Sequence, residues 1–506
     1  MQPTEHSQLE TLKQQLIAIN DISSAGSLLY WDMTTQMPPG GQAARGRQLA
    51  VLGQIAHDRF VDPAIGRLLD ELQPYAETLP YDHNDAALWR VTRRNYDREV
   101  KVPSAFVAEF FQFFSVIYDV WTRARPANDF NAVRDLLKKN LDYSRQYAEF
   151  FGPFDHIADP LIDQGDYGMK AASVRAIFAE LRAQLVPIVA AITAQPPADD
   201  SMVRRHYPEA DQLAFGLDII KDYGYDFSRG RQDLTAHPYM TRINSGDVRI
   251  TTRVDEHYFN DALFSTLHEA GHAMYEQGID ATFDGLPLAT GTSAGVHESQ
   301  SRTWENIIGR SREFWTHYYP ALQARFPSQL SDVSADSFHR AVNKVTPSLI
   351  RVDADEVTYN LHVMIRFDIE LALLEGAMEI DDLPRVWNER YTSDLGVTPP
   401  DDKDGCLQDV HWFGGIIGGA FQGYTLGNLM SAQFYDSALK AHPEIPAEIG
   451  QGKFDTLHGW LKENIYQHGS KFTAPELVER VTGTGVQVAP YIAYLRRKYG
   501  ELYDLS

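Results

Sequence analysis

The chain has 506 residues, 43% of them hydrophobic and 23% charged, the balance of an ordinary globular protein with a large core and, by length, roughly two to four domain-sized units. Acidic residues outnumber basic ones, 69 to 46, and the formal charge of −23 disfavours phosphate backbones and anionic membranes, so neither nucleic acid nor membrane is an expected partner. A single cysteine, Cys406, excludes an intrachain disulfide and a cysteine-built zinc site, and an N-terminus lacking a basic start and apolar core sets the expected location as the cytoplasm.

The first two hundred residues read as helix nearly throughout. Apolar residues recur at helical spacing over 7–22, 42–57, 84–100, 104–125 and 131–151. An aromatic run, Phe106, Phe110, Phe111, Phe113, Phe114, Tyr118 and Trp121, fits core packing between helices better than a ligand box. A helix over 171–194 runs into Gln195-Pro196-Pro197-Ala198, so 195–208 is either a subdomain boundary or a long loop within one catalytic domain spanning 1–506. Another helix covers 209–223.

The strands expected are 239–244 and 247–253, a hairpin about Ser245-Gly246. It is either a structural ribbon or an edge to which an extended peptide could add. Next comes the H-E-x-x-H spacing, His268, Glu269 and His272, in a segment with Leu263, Leu267, Ala270 and Met274 on its apolar positions and Gly278 as its stop. On a helix the two histidines lie one above the other and can hold one divalent ion, with Glu269 beside them to work on water. The alternative is a helix with two buried histidines satisfied by other partners.

A catalytic zinc takes three protein ligands, the third from another element. Glu298 is the best candidate, at the start of a helical pattern that follows a loop over 280–296. His297 is its rival, but adjacent helical residues point about 100° apart, so only one should face the ion. Further on, 351–375 reads as a helix and 394–405 as an acidic loop. The stretch 412–435 has no charged residue and could span a bilayer, but its spread of polar residues and glycines favours a buried helix. Gly415, Gly419, Gly423 and Gly427 recur every four residues, as they would on a smooth ridge of one helix.

Several ordered motifs now make the sequence resemble the carboxypeptidase Taq family, also called thermostable carboxypeptidase 1. They are Asp247-Val248-Arg249-Ile250-Thr251 (D-x-R-x-T), His268 to His272, and His297 to Gln300 (H-E-S-Q). Ile350 to Asp355 (I-R-x-x-A-D) and Gly405 to Trp412 (G-x-x-Q-D-x-H-W) follow, while His237-Pro238-Tyr239 replaces the family's H-P-F. The likeness runs from Leu29-Tyr30-Trp31-Asp32 to the C-terminal helices. It implies a mainly α-helical, two-lobed enzyme with a deep groove and a small β-hairpin at the metal. It also implies zinc, or cobalt in its place, on His268, His272 and Glu298, with Glu269 as general base. The same resemblance assigns oxyanion contacts to His411 and Tyr424 and the substrate's C-terminal carboxylate to Arg351, whose alternative is an ion pair with Asp353 or Asp355. Asp247, Arg249 and His237 then shape the substrate end and hairpin, and a homodimer is expected. The implied reaction is broad-specificity release of C-terminal residues from peptides with a free carboxylate. An internally cutting zinc oligopeptidase is the nearest alternative, and a non-catalytic peptide-binding scaffold a more distant one.

Overall fold

Apolar residues at three- and four-residue spacing dictate a helical protein, and the structure, a computed structural model describing residues 5–505, is built accordingly. The first four residues, part of the N-terminal stretch read above for a signal, lie outside the described residues. Helices Glu5–Thr35 and Gln42–Phe60 pack on each other across a Pro39–Gly41 turn, and Asn84–Glu99, Ser104–Ala124 and Phe130–Glu149 follow near their expected bounds. Helix Pro63–Thr78 is additional to the helices expected from the sequence. Asp62 caps it, accepting a hydrogen bond from Ala64 N at 2.7 Å. Ala171–Thr193 is long and apolar enough to cross a membrane, but here Val174, Phe178, Leu181 and Leu185 are buried and the helix packs on Tyr359–Leu374 and Ala489–Leu502.

The helix around which the rest is arranged is Phe259–Gly278. It is buried on almost every side and packs against Glu209–Tyr223, the sheet, and Ala294–Arg302. Gly271 permits the last contact, since a Cβ there would lie 2.7 Å from Gln300 O and from Ser301 Cα. The sheet has three strands, β1 (Gln232–Leu234), β2 (Met240–Asn244) and β3 (Asp247–Thr252), in the order β1-β3-β2. β2 and β3 form the expected hairpin; β1 adds in parallel to β3 and carried no sequence signal. Thr252 Oγ1 donates to Ala262 O at 3.3 Å, tying β3 to the central helix.

Two expectations need correction. Residues 351–375 are not one helix: Arg351–Asp353 is a single 3-10 turn and the helix runs Tyr359–Leu374. The Asp355 carboxylate accepts from Val357 N and Thr358 N, at 2.9 and 3.0 Å, and forces the intervening turn. The four-residue glycine series is not a ridge on one helix either. Helix His411–Gly414 stops, Gly418 and Gly419 adopt φ of 100° and 86°, and Gln422–Ala441 begins anew. Only Gly423 and Gly427 lie on that helix, where they face Ala294–Arg302.

Candidate metal centre

His268 and His272 project one turn apart from the central helix, with ring centroids 4.9 Å apart. Glu298 arrives on Ala294–Arg302, a helix capped by Ser293, whose Oγ accepts from Val296 N at 3.0 Å. Its Oε2 lies 3.6 Å from His268 Nε2 and 3.5 Å from His272 Nε2. All three donor atoms fall within 4.8 Å of one another. Bonds of ~2.1 Å to a tetrahedral ion place ligand atoms roughly 3.4 Å apart, so this donor set fits one divalent cation.

The remaining atoms of the triad are held from behind. His268 Nδ1 lies 2.8 Å from Glu305 Oε2. His272 Nδ1 lies 2.6 Å from His297 Nδ1, and His297 Nε2 lies 2.8 Å from Glu276 Oε1. Both Nε2 atoms are thereby aimed at Glu298, the arrangement in which a ligating histidine is oriented through its other nitrogen. Arg302 Nε donates to Glu298 Oε1 at 2.6 Å, which turns Oε2 towards the histidines. Burial alone would raise Glu298, yet the Arg302 guanidinium and both imidazoles hold it well below the usual carboxylate range. Glu305 is likewise buried but kept down at about 2 by Arg302 and His268. Burial brings His272 down to about 3, so its ring is the neutral form that ligates a metal. Burial pushes Glu269, next to this cluster, up to about 7.

A cleft of about 1110 Å³ opens onto His272 and Glu298. His411 and Tyr424 line it as well, with Tyr424 Oη 3.4 Å from His411 Nε2. Asp409 accepts from His411 Nδ1 and, at 2.6 Å, from Arg351 Nε. Burial opposes ionisation of Asp409, but Arg366, His411 and Arg351 hold its carboxyl far below the ordinary range. Burial pushes the Tyr424 phenol well above its usual value, so it stays protonated.

The other sequence-derived candidates are placed differently. Arg351 is buried behind the cleft: its Nη1 donates to Tyr359 Oη at 3.0 Å, and its carboxylate partner is Asp409, where Asp353 or Asp355 had been the alternatives. Asp247 and Arg249 form a two-point pair at 2.7 Å, and Arg249 lies over the Trp31 ring, 4.4 Å from its centroid. His237 is exposed between β1 and β2. The neighbouring Tyr239 hydroxyl finds a partner in Thr34 Oγ1 at 2.6 Å. Among the described residues, no strand lines this cleft, but the hairpin packs on the central helix beside the metal ligands, where Arg242 of β2 pairs at 3.5 Å with Glu276, the carboxylate behind His297.

Sequence reasoning missed Glu305, Glu276, Arg302 and Asp409. The signal was general: each imidazole that points one nitrogen at a metal needs a partner for the other. Glu305 sits in a π-helical turn, Thr303–Ile308, which continues Ala294–Arg302 and shifts the register by one residue, so simple helical counting does not aim it at His268.

A mainly helical molecule, with H-E-x-x-H on a buried helix and a glutamate from the next helix completing the cluster, defines a metallopeptidase. The chain belongs to the carboxypeptidase Taq (M32) metallopeptidase family, whose sequence model matches residues 11–499. It is 42% identical over 494 residues to "Thermostable carboxypeptidase 1" of Thermus thermophilus, covering 95% of this chain and 96% of that protein. "Carboxypeptidase 1" of Bacillus subtilis is 37% identical over 491 residues, covering 96% and 97%. The M32 carboxypeptidase structure from Deinococcus radiodurans R1 superposes with a TM-score of 0.95 at 48% identity, over 98% of this chain and 99% of that one. A metallocarboxypeptidase is the activity these relatives share.

Proposed function

We propose that the protein is a zinc-dependent carboxypeptidase that removes C-terminal residues from peptides with broad specificity, through His268, His272, Glu298 and Glu269. The observation that carries this reading is the meeting of three inward-aimed donor atoms within 4.8 Å, beside a buried glutamate raised to about 7. A cation held there would supply Lewis-acid polarisation of the attacked carbonyl and of water. Glu269 takes the proton from the attacking water and returns it to the leaving amine. Tyr424, kept protonated by burial, donates to the oxygen on which negative charge develops. His411 can join it from Nε2 when the ring is charged, because Asp409 already engages Nδ1.

Arg351 grips the substrate's C-terminal carboxylate in this proposal, a task suited to a planar guanidinium. One observation favours a second reading, the oligopeptidase that cuts internally: Arg351 is already engaged by Asp409 and Tyr359. Peptides as free acids and as C-terminal amides separate the two. Equal cleavage of both forms supports the oligopeptidase. Asp247, Arg249 and His237 belong, in this reading, to the substrate end of the molecule.

Zinc is the proposed metal, with cobalt as a functional substitute, because a two-histidine, one-carboxylate set accepts both. We also take residues 1–506 as a single catalytic domain. Contacts of Ala171–Thr193 with helices near the C-terminus, across 195–208, support this. The proposed setting is cytoplasmic and homodimeric, without nucleic-acid or membrane partners, consistent with the charge of −23 and the single buried cysteine. Sedimentation analysis tests the dimer.

A further inference from the structure

The cleft is larger than the leaving residue of an exopeptidase requires. Its volume is about 1110 Å³, whereas pockets of ~300–1,000 Å³ enclose whole drug-sized ligands. A carboxypeptidase places one residue on the leaving side of the bond it cuts. Most of this space therefore belongs to residues on the N-terminal side of that bond.

The wall across that space is helix Ser104–Ala124, and its two faces differ. Phe113 and Ile117 are buried in the core, and Phe106 is buried at the edge of the cleft, so only part of the aromatic run packs the core as expected. Val107, Phe110, Phe111 and Phe114 instead line the cleft, at the i, i+3, i+4, i+7 spacing of a single stripe. Phe110 and Phe114 lean on each other with centroids 4.1 Å apart, while Phe111 is 67% exposed. Val107, Phe110 and Phe114 are half-buried beside it, and a contiguous apolar stripe that stays partly open to a cleft marks a contact site, whereas a lone exposed aromatic does not. At 1.5 Å per residue the stripe is about 10 Å long, enough to follow roughly three residues of extended peptide. It presents no hydrogen-bonding side chain, so it selects by apolar area. Continuity with the cavity that exposes Glu298 and His272 identifies its occupant as the peptide being cut.

We propose that Val107, Phe110, Phe111 and Phe114 form the subsite for side chains immediately N-terminal to the scissile bond, and that the enzyme prefers bulky apolar or aromatic residues there. This rests on the carboxypeptidase reading above. The test uses the metal-loaded enzyme and peptides that share one C-terminal residue but carry Phe, Ala or Glu at the two preceding positions. Wild type favours the Phe peptide over the Ala peptide by about tenfold in kcat/KM, the scale of burying part of one aromatic side chain. Phe111→Ala brings that ratio close to one, chiefly through KM. Val116→Ala, on the same helix but outside the cleft, keeps it; Val116 is 50% exposed. Direct binding of the same peptides to Glu269→Gln, alone and combined with Phe111→Ala, keeps the two readings separable. If no peptide is trimmed yet Phe111 still governs tighter binding of the Phe peptide, the carboxypeptidase reading fails and the subsite stands. An identical Phe-to-Ala ratio with and without Phe111, in turnover and in binding, overturns the subsite.

Discussion

Gly427→Ala is the substitution whose effect can be worked most directly from the geometry. The new methyl would sit 2.6 Å from Glu298 Cγ and 2.7 Å from its Cβ, with Gly295 O at 3.1 Å. Carbon atoms pack at ~3.5–4.0 Å, so something must move by about 1 Å. If Glu298 holds its place, the strain remains in the metal-free protein as an overpacking cost of about 1–3 kcal/mol. If Glu298 yields, its Oε2 leaves the position 3.5–3.6 Å from the two histidines and metal affinity suffers. A loss of 10–100-fold corresponds to about 1.4–2.8 kcal/mol, the same scale as the strain it relieves. The assay is zinc affinity by chelator competition, alongside denaturant unfolding of the metal-free protein. Gly459→Ala is the control, because a Cβ there meets nothing within 4 Å in helix Asp455–Asn464 and should leave stability equal or slightly higher. If zinc affinity and metal-free stability in Gly427→Ala both stay within twofold and 0.5 kcal/mol of wild type, the reasoning from this contact is wrong.

Other consequences can be checked in the same preparations. Glu269→Gln should lower kcat by about 10²–10⁴-fold with zinc affinity kept within about tenfold, measured by peptide turnover and metal titration; full activity would remove Glu269 from proton transfer. Glu305→Gln should weaken zinc binding by about 10–100-fold through the lost hold on His268 Nδ1, while the unloaded fold persists by circular dichroism. Acid should destabilise the protein in a defined window. Burial holds His339 and His458 down at about 4, against about 6.5 in the unfolded chain, so between these values the unfolded state binds more protons. Their contribution is complete above pH 6.5 and is lost as pH falls towards 4, by up to about 3 kcal/mol each, while Glu269 and Glu370, pushed up to about 7 by burial, act in the opposite sense. The histidine share is read as a smaller pH slope of the unfolding midpoint in His339→Gln or His458→Gln, and an unchanged slope would contradict it.

Much of this architecture was legible from local pattern, and the failures have local causes. The helix over 209–223 coincides with Glu209–Tyr223, because its apolar period is regular and Gly224 stops it with φ of 102°. The H-E-x-x-H helix and its stop at Gly278 were equally readable, and of the two adjacent residues only one joins the donor cluster: Glu298, while His297 sits behind His272. Spacing alone misled where the backbone changes hand. Gly418 and Gly419 interrupt what counting by fours makes one helix, and a Cβ at Gly419 would run into Leu161 O. Asp355 breaks the 351–375 pattern by folding a turn ahead of the helix, a signal present in Asp355-x-x-Thr358 but outweighed by the apolar period. β1 is three residues long and pairs in parallel with a distant strand, so no local pattern could reveal it. The groups behind the metal ligands come from a π-turn, from Glu276 one turn beyond His272 and from Arg302 one turn beyond Glu298. Their convergence is tertiary and appears only once the chain is folded.

One experiment tests together the metal proposed on His268, His272 and Glu298 and its use in releasing residues from a free C-terminus. The direct measurement is a mass-spectrometric digest of one peptide, as free acid and as amide, with metal-loaded and chelator-stripped protein and with metal content determined in parallel. The expected result is about one zinc per chain, stepwise loss of single C-terminal residues from the free acid alone, and recovery of that activity when zinc or cobalt is restored. Internal fragments from both peptide forms, or undiminished trimming by the metal-stripped protein, would contradict it.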